Sequence, residues 1–164
     1  MMMKKYSIIA VLLLLFSLHS AAAQENQNEK EKDMGGWEIS GAYNRLYKNS
    51  ERDRLKGEVT DIIEFTPMTG MSPGTGLIVR DQDGDKISVH LGPRWFVEPG
   101  STGIRKGDAV KIKGVWAEIG GKDIFMAAKV KKGEYSEYKI RRTKDGMPFW
   151  VMSKEELEKE QSAE

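Results

Sequence analysis

Gly92-Pro93-Arg94-Trp95-Phe96-Val97-Glu98-Pro99-Gly100-Ser101-Thr102-Gly103-Ile104-Arg105-Lys106-Gly107 interrupts a chain of otherwise alternating residues, and its place in chain order decides the fold. With two prolines and four glycines it has room for one short helical turn at Trp95 to Glu98 and for no strand. Upstream, from Lys56, period-two patterning marks three strands. Gly57, Val59, Ile63 and Phe65 share one parity of the first, with Asp61 breaking the alternation as a bulge would. After the Pro- and Gly-rich connection from Thr66 to Gly74, Leu77 and Val79 share a face of the second, and the Asp-Gly turn in Asp81 to Asp85 leads to Ile87, Val89 and Leu91 on the third. Downstream, Val110, Ile112, Gly114 and Trp116 alternate with Lys111, Lys113 and Val115; Gly120-Gly121 turns the chain, and Ile124, Met126, Ala128 and Val130 form a fifth strand. Three strands, a link, then two within about 80 residues is the chain order of an OB-fold.

The expected fold is therefore all-β: a five- to six-stranded, OB-like, partly open β-barrel over residues 56–151, with Tyr135 to Arg142 as an edge-like sixth strand. An SH3-like or other small barrel and a sandwich are the alternatives that share the strand count. Residues 36–55, with Trp37, Ile39, Tyr43, Leu46 and Tyr47 in no clean period, read as an N-terminal arm whose aromatics pack on the barrel. Residues 24–35 are polar and charged, the composition of a disordered linker. In the tail, 152–164, Ser153 and Glu156 have the spacing of a capping box, so a short exposed helix is expected.

The chain opens with Lys4-Lys5, an apolar run from Tyr6 to Leu18 and Ala21-Ala22-Ala23, the three regions of a secretory signal peptide over residues 1–23. The run is short of the roughly 20 residues a membrane span needs. Cleavage after Ala23 gives a periplasmic or secreted protein with no membrane anchor; retention would leave the same domain tethered. Loss of Lys4 and Lys5 takes the net charge from +1 to about −1. Such a balance lacks the basic excess of a nucleic-acid binder. With no cysteine, disulfides, thiolate metal sites, c-type haem attachment and a lipidated cysteine are all excluded.

Val89-His90-Leu91-Gly92-Pro93-Arg94-Trp95, then Arg105-Lys106-Gly107-Asp108-Ala109-Val110-Lys111-Ile112-Lys113-Gly114, then Ala127-Ala128-Lys129-Val130-Lys131-Lys132-Gly133, and finally Gly146-Met147-Pro148-Phe149-Trp150 form a recurring pattern. It resembles a family of small secreted OB-fold-like proteins of Gram-negative bacteria from sediments, over roughly residues 43–150. The resemblance implies a periplasmic domain, sometimes beside redox- or metal-related neighbours, and carries over no catalytic residue set. The stretch Arg142 to Asp145 departs from the tighter spacing of the family's ending.

His90 is the one histidine beyond the leader, and parity sends it to the face opposite Val89 and Leu91. One histidine without cysteine makes no structural zinc site, and nothing singles out a nucleophile for it to activate. It is expected to order the Gly92-Pro93 turn, with ligand contact or acid–base work as alternatives. Trp95, Phe96 and Trp150 join His90 as candidate ligand-binding residues, because stacking on an aromatic face contributes roughly 1–3 kcal/mol per ring; plugging a barrel end is the plainer role. Trp116, on the inward parity, reads as core. Met68 and Met71 lie in the first interstrand loop, and thioethers suit Cu(I) or Ag(I), so Met68, Met71, His90 and Trp95 form an alternative soft-metal set. Lysines 106, 111, 113, 129, 131 and 132 are expected to line a basic stripe on the outer face of strands four and five, most simply a solvated one. Asp81 to Asp85 has its glycine two positions too early for a calcium loop, and Gly74-Thr75-Gly76 lacks the lysine of a phosphate loop.

The sequence thus points to an exported, non-enzymatic binding or accessory module of the cell envelope, without cofactor, whose partner is an envelope protein or small ligand. A Cu(I)- or Ag(I)-binding protein and an enzyme acting on an envelope substrate are the alternatives.

Overall fold

A computed structural model describes residues 33–162. The signal peptide, the linker up to residue 32 and the last two residues of the tail lie outside the described residues. Six strands follow one another as β1 (Arg52–Phe65), β2 (Gly74–Arg80), β3 (Lys86–Pro93), β4 (Ala109–Ile119), β5 (Lys122–Lys132) and β6 (Ser136–Lys139), before a helix α1 (Lys154–Ser162). They hydrogen-bond in the order β3-β2-β1-β4-β5-β6, antiparallel throughout. A short parallel pairing of Val89 with Phe125 and His90 with Met126 joins β3 to β5 and closes the first five strands into a ring. This is the partly open Greek-key barrel that the three-link-two order predicts.

The ring buries Val59, Leu77, Val79, Val89, Leu91, Val110, Ile112, Phe125 and Val130. Full burial of such a side chain contributes roughly 1.5–3 kcal/mol. The connection between β3 and β4 makes its single helical turn where Phe96 and Val97 donate to Pro93 O, and Thr75 Oγ1 donates to Val97 O at 2.6 Å. At the β2–β3 turn the Asp81 carboxylate accepts the N–H groups of Asp83 and Asp85, so it is occupied as a turn cap. Ser153 and Glu156 exchange the two hydrogen bonds of a capping box at the start of α1.

Some elements depart from the alternation pattern. β1 starts at Arg52, inside the stretch assigned to the arm. Its register shifts between Val59 and Asp61, where the broken alternation suggested a bulge. A second bulge lies between β4 and β5, whose register jumps from Lys113↔Lys129 to Gly114↔Ala127. Ala128 is the extra residue, and its carbonyl accepts the N–H groups of Ile140 and Arg141 at 2.8 and 2.9 Å. Beyond this bulge Val115 is fully buried, whereas Trp116, directly opposite the buried Phe125, is half-buried with Nε1 donating to Asp53 Oδ2. Trp116 thus keeps its expected parity, edge-on to Phe125 at 5.1 Å, but is only partly covered. The sixth strand is shorter than expected, and Tyr135 sits outside it, 96% exposed. Met34 packs against the core, and Gly35 O accepts from Ser72 N, so the linker composition ends before these residues.

Candidate functional site

β3 is buried on both faces, with Val89, His90 and Leu91 all inside. The arm causes this. Trp37 lies against β2 at Gly74, where an added Cβ would sit 2.8 Å from the indole, and Trp150 lies against β3 at Gly92, 2.9 Å from such a Cβ. Only glycine lets the two rings approach the backbone this closely. Trp150 Nε1 donates to Trp37 O at 2.9 Å, the rings meet edge to face at 5.7 Å, and Trp37 Nε1 donates to Ser72 O. The arm and the chain's last aromatic thus lock together over the outer side of β2 and β3.

His90 lies beneath this lid, 6% exposed. Its ring stacks on Phe65 at 3.8 Å, and Nδ1 is 3.2 Å from the Tyr43 hydroxyl. Burial pulls its pKa down to about 4, so it is neutral over the physiological range. The expectation that His90 orders the Gly92-Pro93 turn is corrected: its hydrogen bond runs to the arm.

Arg141 occupies the other side of Tyr43 and was not singled out by sequence reasoning. It is 2% exposed, donating to Asn44 Oδ1 at 2.8 Å and Gly146 O at 3.2 Å, with its guanidinium 4.6 Å from the Trp150 ring and 5.0 Å from the Tyr47 ring. No carboxylate bridges it among the described residues. Burial pulls its pKa down to about 10, opposed by Tyr43 and Tyr47, which still leaves it a cation. Burial pushes the Tyr43 phenol up, with Arg141 opposing. With this cation facing the phenol oxygen, the hydroxyl hydrogen turns to His90, which accepts at Nδ1 and keeps its own proton on Nε2. Asn44 completes the cluster by donating to Trp37 O and Glu38 O.

The candidate ligand-binding residues separate. Trp150, 5% exposed, is an interior residue, and this overturns its reading as an accessible stacking ring. Phe96 is half-buried, edge-on to Trp150 at 6.1 Å and to Trp95 at 6.3 Å. Trp95 alone remains open, 50% exposed, lining a 530 Å³ cleft with Ser72, Pro73, Arg94, Glu98 and Pro99. Arg94 is held in turn by an ion pair with Glu64. Met68 and Met71 are half-buried against the core, with Met71 lying against Gly36 of the arm. Among the described residues no group of three His, Asp or Glu is placed to hold a metal ion.

The basic stripe is also redrawn. Lys106 lies ahead of β4 and bridges Asp61 at 2.8 Å, and Lys132 stands opposite the buried Val110 and bridges Asp108 at 2.9 Å, so neither joins the outward rows. In their place the register brings Arg54 and Lys56 of β1 directly opposite Lys113 and Lys111. Arg52-x-Arg54-x-Lys56 carried the signal, since it repeats the period-two cations of Lys111-x-Lys113 and Lys129-x-Lys131.

The sequence model of the MamS/MamX magnetosome protein family matches residues 51–136, slightly more than half of the chain. The chain belongs to the MamS/MamX magnetosome protein family. Among curated proteins none matches it. The MamS/MamX match spans the five-stranded ring and stops as β6 begins; it holds His90 and Phe65, whereas Trp37, Tyr43, Arg141 and Trp150 come from outside it. No helix among the described residues is long and apolar enough to cross a membrane.

Proposed function

We propose that this MamS/MamX protein is an exported, non-catalytic accessory module of the cell envelope that serves magnetosomes and engages its partner at the Trp95 cleft. The observation that carries the reading is the contrast between His90 and Trp95. Acid–base chemistry needs a group that reaches substrate, and His90 is sealed under the arm with one nitrogen held by Tyr43. Trp95 offers half of a large ring to the outside beside two prolines, a surface that suits a peptide or small ligand.

Complementation of a deletion strain tests this. His90→Gln keeps a hydrogen-bonding side chain and is expected to restore magnetosome formation; Trp95→Ala, at an exposed position, is expected to fold and fail. A folded His90→Gln protein that fails while Trp95→Ala succeeds would reverse the assignment and favour an enzyme. N-terminal sequencing of the cell-derived protein is expected to begin at Gln24.

A further inference from the structure

The outer face of β1, β4, β5 and β6 carries a two-dimensional array of cations. One row across the strands is Arg54, Lys113, Lys129 and Lys139, each directly opposite the next. The adjacent row is Lys56, Lys111, Lys131 and Glu137. Neighbouring strands lie about 4.8 Å apart and alternate residues about 6.8 Å apart, so the array covers about 14 by 7 Å. Like charges directly opposite destabilise a sheet, yet the one acid, Glu137, forms an ion pair only with Lys129. The other six cations have no ion-pair partner among the described residues. Acidic residues gather in the Asp81 to Asp85 turn and along α1, whose Glu160 lines a cleft beside Lys129 and Lys139 at the β6 edge of the array and pairs with Arg142.

We propose that this face docks the protein onto an anionic membrane surface through phospholipid headgroups. Two features favour a lipid surface over an acidic protein. Of the seven cations six are lysine, a mobile point charge without the planar fork that reads a fixed carboxylate. They also spread in two dimensions over a sheet face whose 360 Å³ cleft has room for a headgroup and for no folded element. Tyr135, 96% exposed in the turn that joins β5 to β6, supplies at the edge of the face the amphipathic ring that settles at a membrane interface. Each lysine near an anionic bilayer is worth about 1 kcal/mol, roughly fivefold in partitioning, and the effect is screened by salt. The proposal goes beyond the accessory reading and uses neither His90 nor Trp95.

The test is co-sedimentation of the cell-derived protein with vesicles of phosphatidylglycerol and phosphatidylcholine against phosphatidylcholine alone; the neutral vesicles report whatever the apolar Tyr6 to Leu18 run contributes in any unprocessed chain. The expected result is at least tenfold stronger binding to the anionic vesicles at low salt, lost at high salt and abolished by Lys111→Glu with Lys113→Glu. Lys111→Gln with Lys113→Gln is expected to give an intermediate loss, and Lys86→Glu with Lys122→Glu, at strand ends outside the array, to retain most of the binding. Equal binding to both vesicle types, or no difference between the face variants and wild type, overturns the proposal. Capture by soluble poly-glutamate without vesicle binding also overturns it and assigns the face to an acidic protein. Failure here leaves the complementation result untouched, so the two readings fall separately.

Discussion

Two regions of this molecule hold cations, and they hold them in opposite ways. Arg141 is buried without a carboxylate, its charge spread over Asn44 Oδ1, Gly146 O and two aromatic faces. The array on β1, β4, β5 and β6 is largely open to solvent, and most of its members have no ion-pair partner. Desolvating a charge costs several kcal/mol unless hydrogen bonds replace the lost water. The interior cation is therefore a structural element that fixes the arm. The surface cations repel one another and, Lys129 with its Glu137 partner apart, have no ion pair to offset this, which leaves them available to a partner.

The contrast is most strongly tested at the lid. Trp150→Ala removes a buried ring, its bond to Trp37 O and one of the faces on Arg141, and is expected to cost about 3–5 kcal/mol in urea unfolding. A loss below about 1 kcal/mol would show that the lid is not part of the cooperative unit. Next comes acid. The unfolded chain protonates His90 near its ordinary value of 6.5, whereas the folded chain resists until about 4. The stability present above pH 6.5 therefore falls as the pH drops from 6.5 to 4 and levels off below, by about 3 kcal/mol in all. Unfolding of wild type and His90→Gln across that range isolates this slope from the carboxylates, and parallel curves would mean that water reaches His90.

Arg141→Lys keeps the charge but cannot hold Asn44 and Gly146 together while covering two rings; the expected loss is about 2 kcal/mol. The smallest effect belongs to the face. Lys111→Gln with Lys113→Gln relieves cross-strand repulsion and is expected to stabilise the protein by about 0.5 kcal/mol. A destabilisation there would show that the lysines support the sheet and erase the contrast.

The barrel was legible because its cause is local. Val59, Val79, Val89, Ile112 and Val130 announce their strands by alternation, and the Gly92 to Gly107 interruption fixes their order. The setting of His90 was not legible, because it lies between Phe65 of β1 and Tyr43 of the arm, the arm is held in turn by Trp150, and no periodicity spans such separations. Parity placed His90 opposite Val89 correctly but could not say that this second face is covered. Arg141 was hidden for a related reason: the regular strand ends at Lys139, and the N–H groups of Ile140 and Arg141 share the one Ala128 carbonyl, so no alternation places its side chain. The cationic array was half visible, since the lysines of β4 and β5 repeat in phase, while Arg54 and Lys56 join them only through strand register.

The hydrogen bond from Trp150 to Trp37 joins residues 113 positions apart. A chain is synthesised from its N-terminus, so Trp37 emerges early and its partner nearly last. Until then Gly92 on β3 and the Trp37 carbonyl lack the indole that covers them, however complete the ring of strands beneath. Folding of the lid thus becomes a check on length: a product that stops short of residue 150 leaves the arm without its bond at Trp37 O and the sheet bare at Gly92.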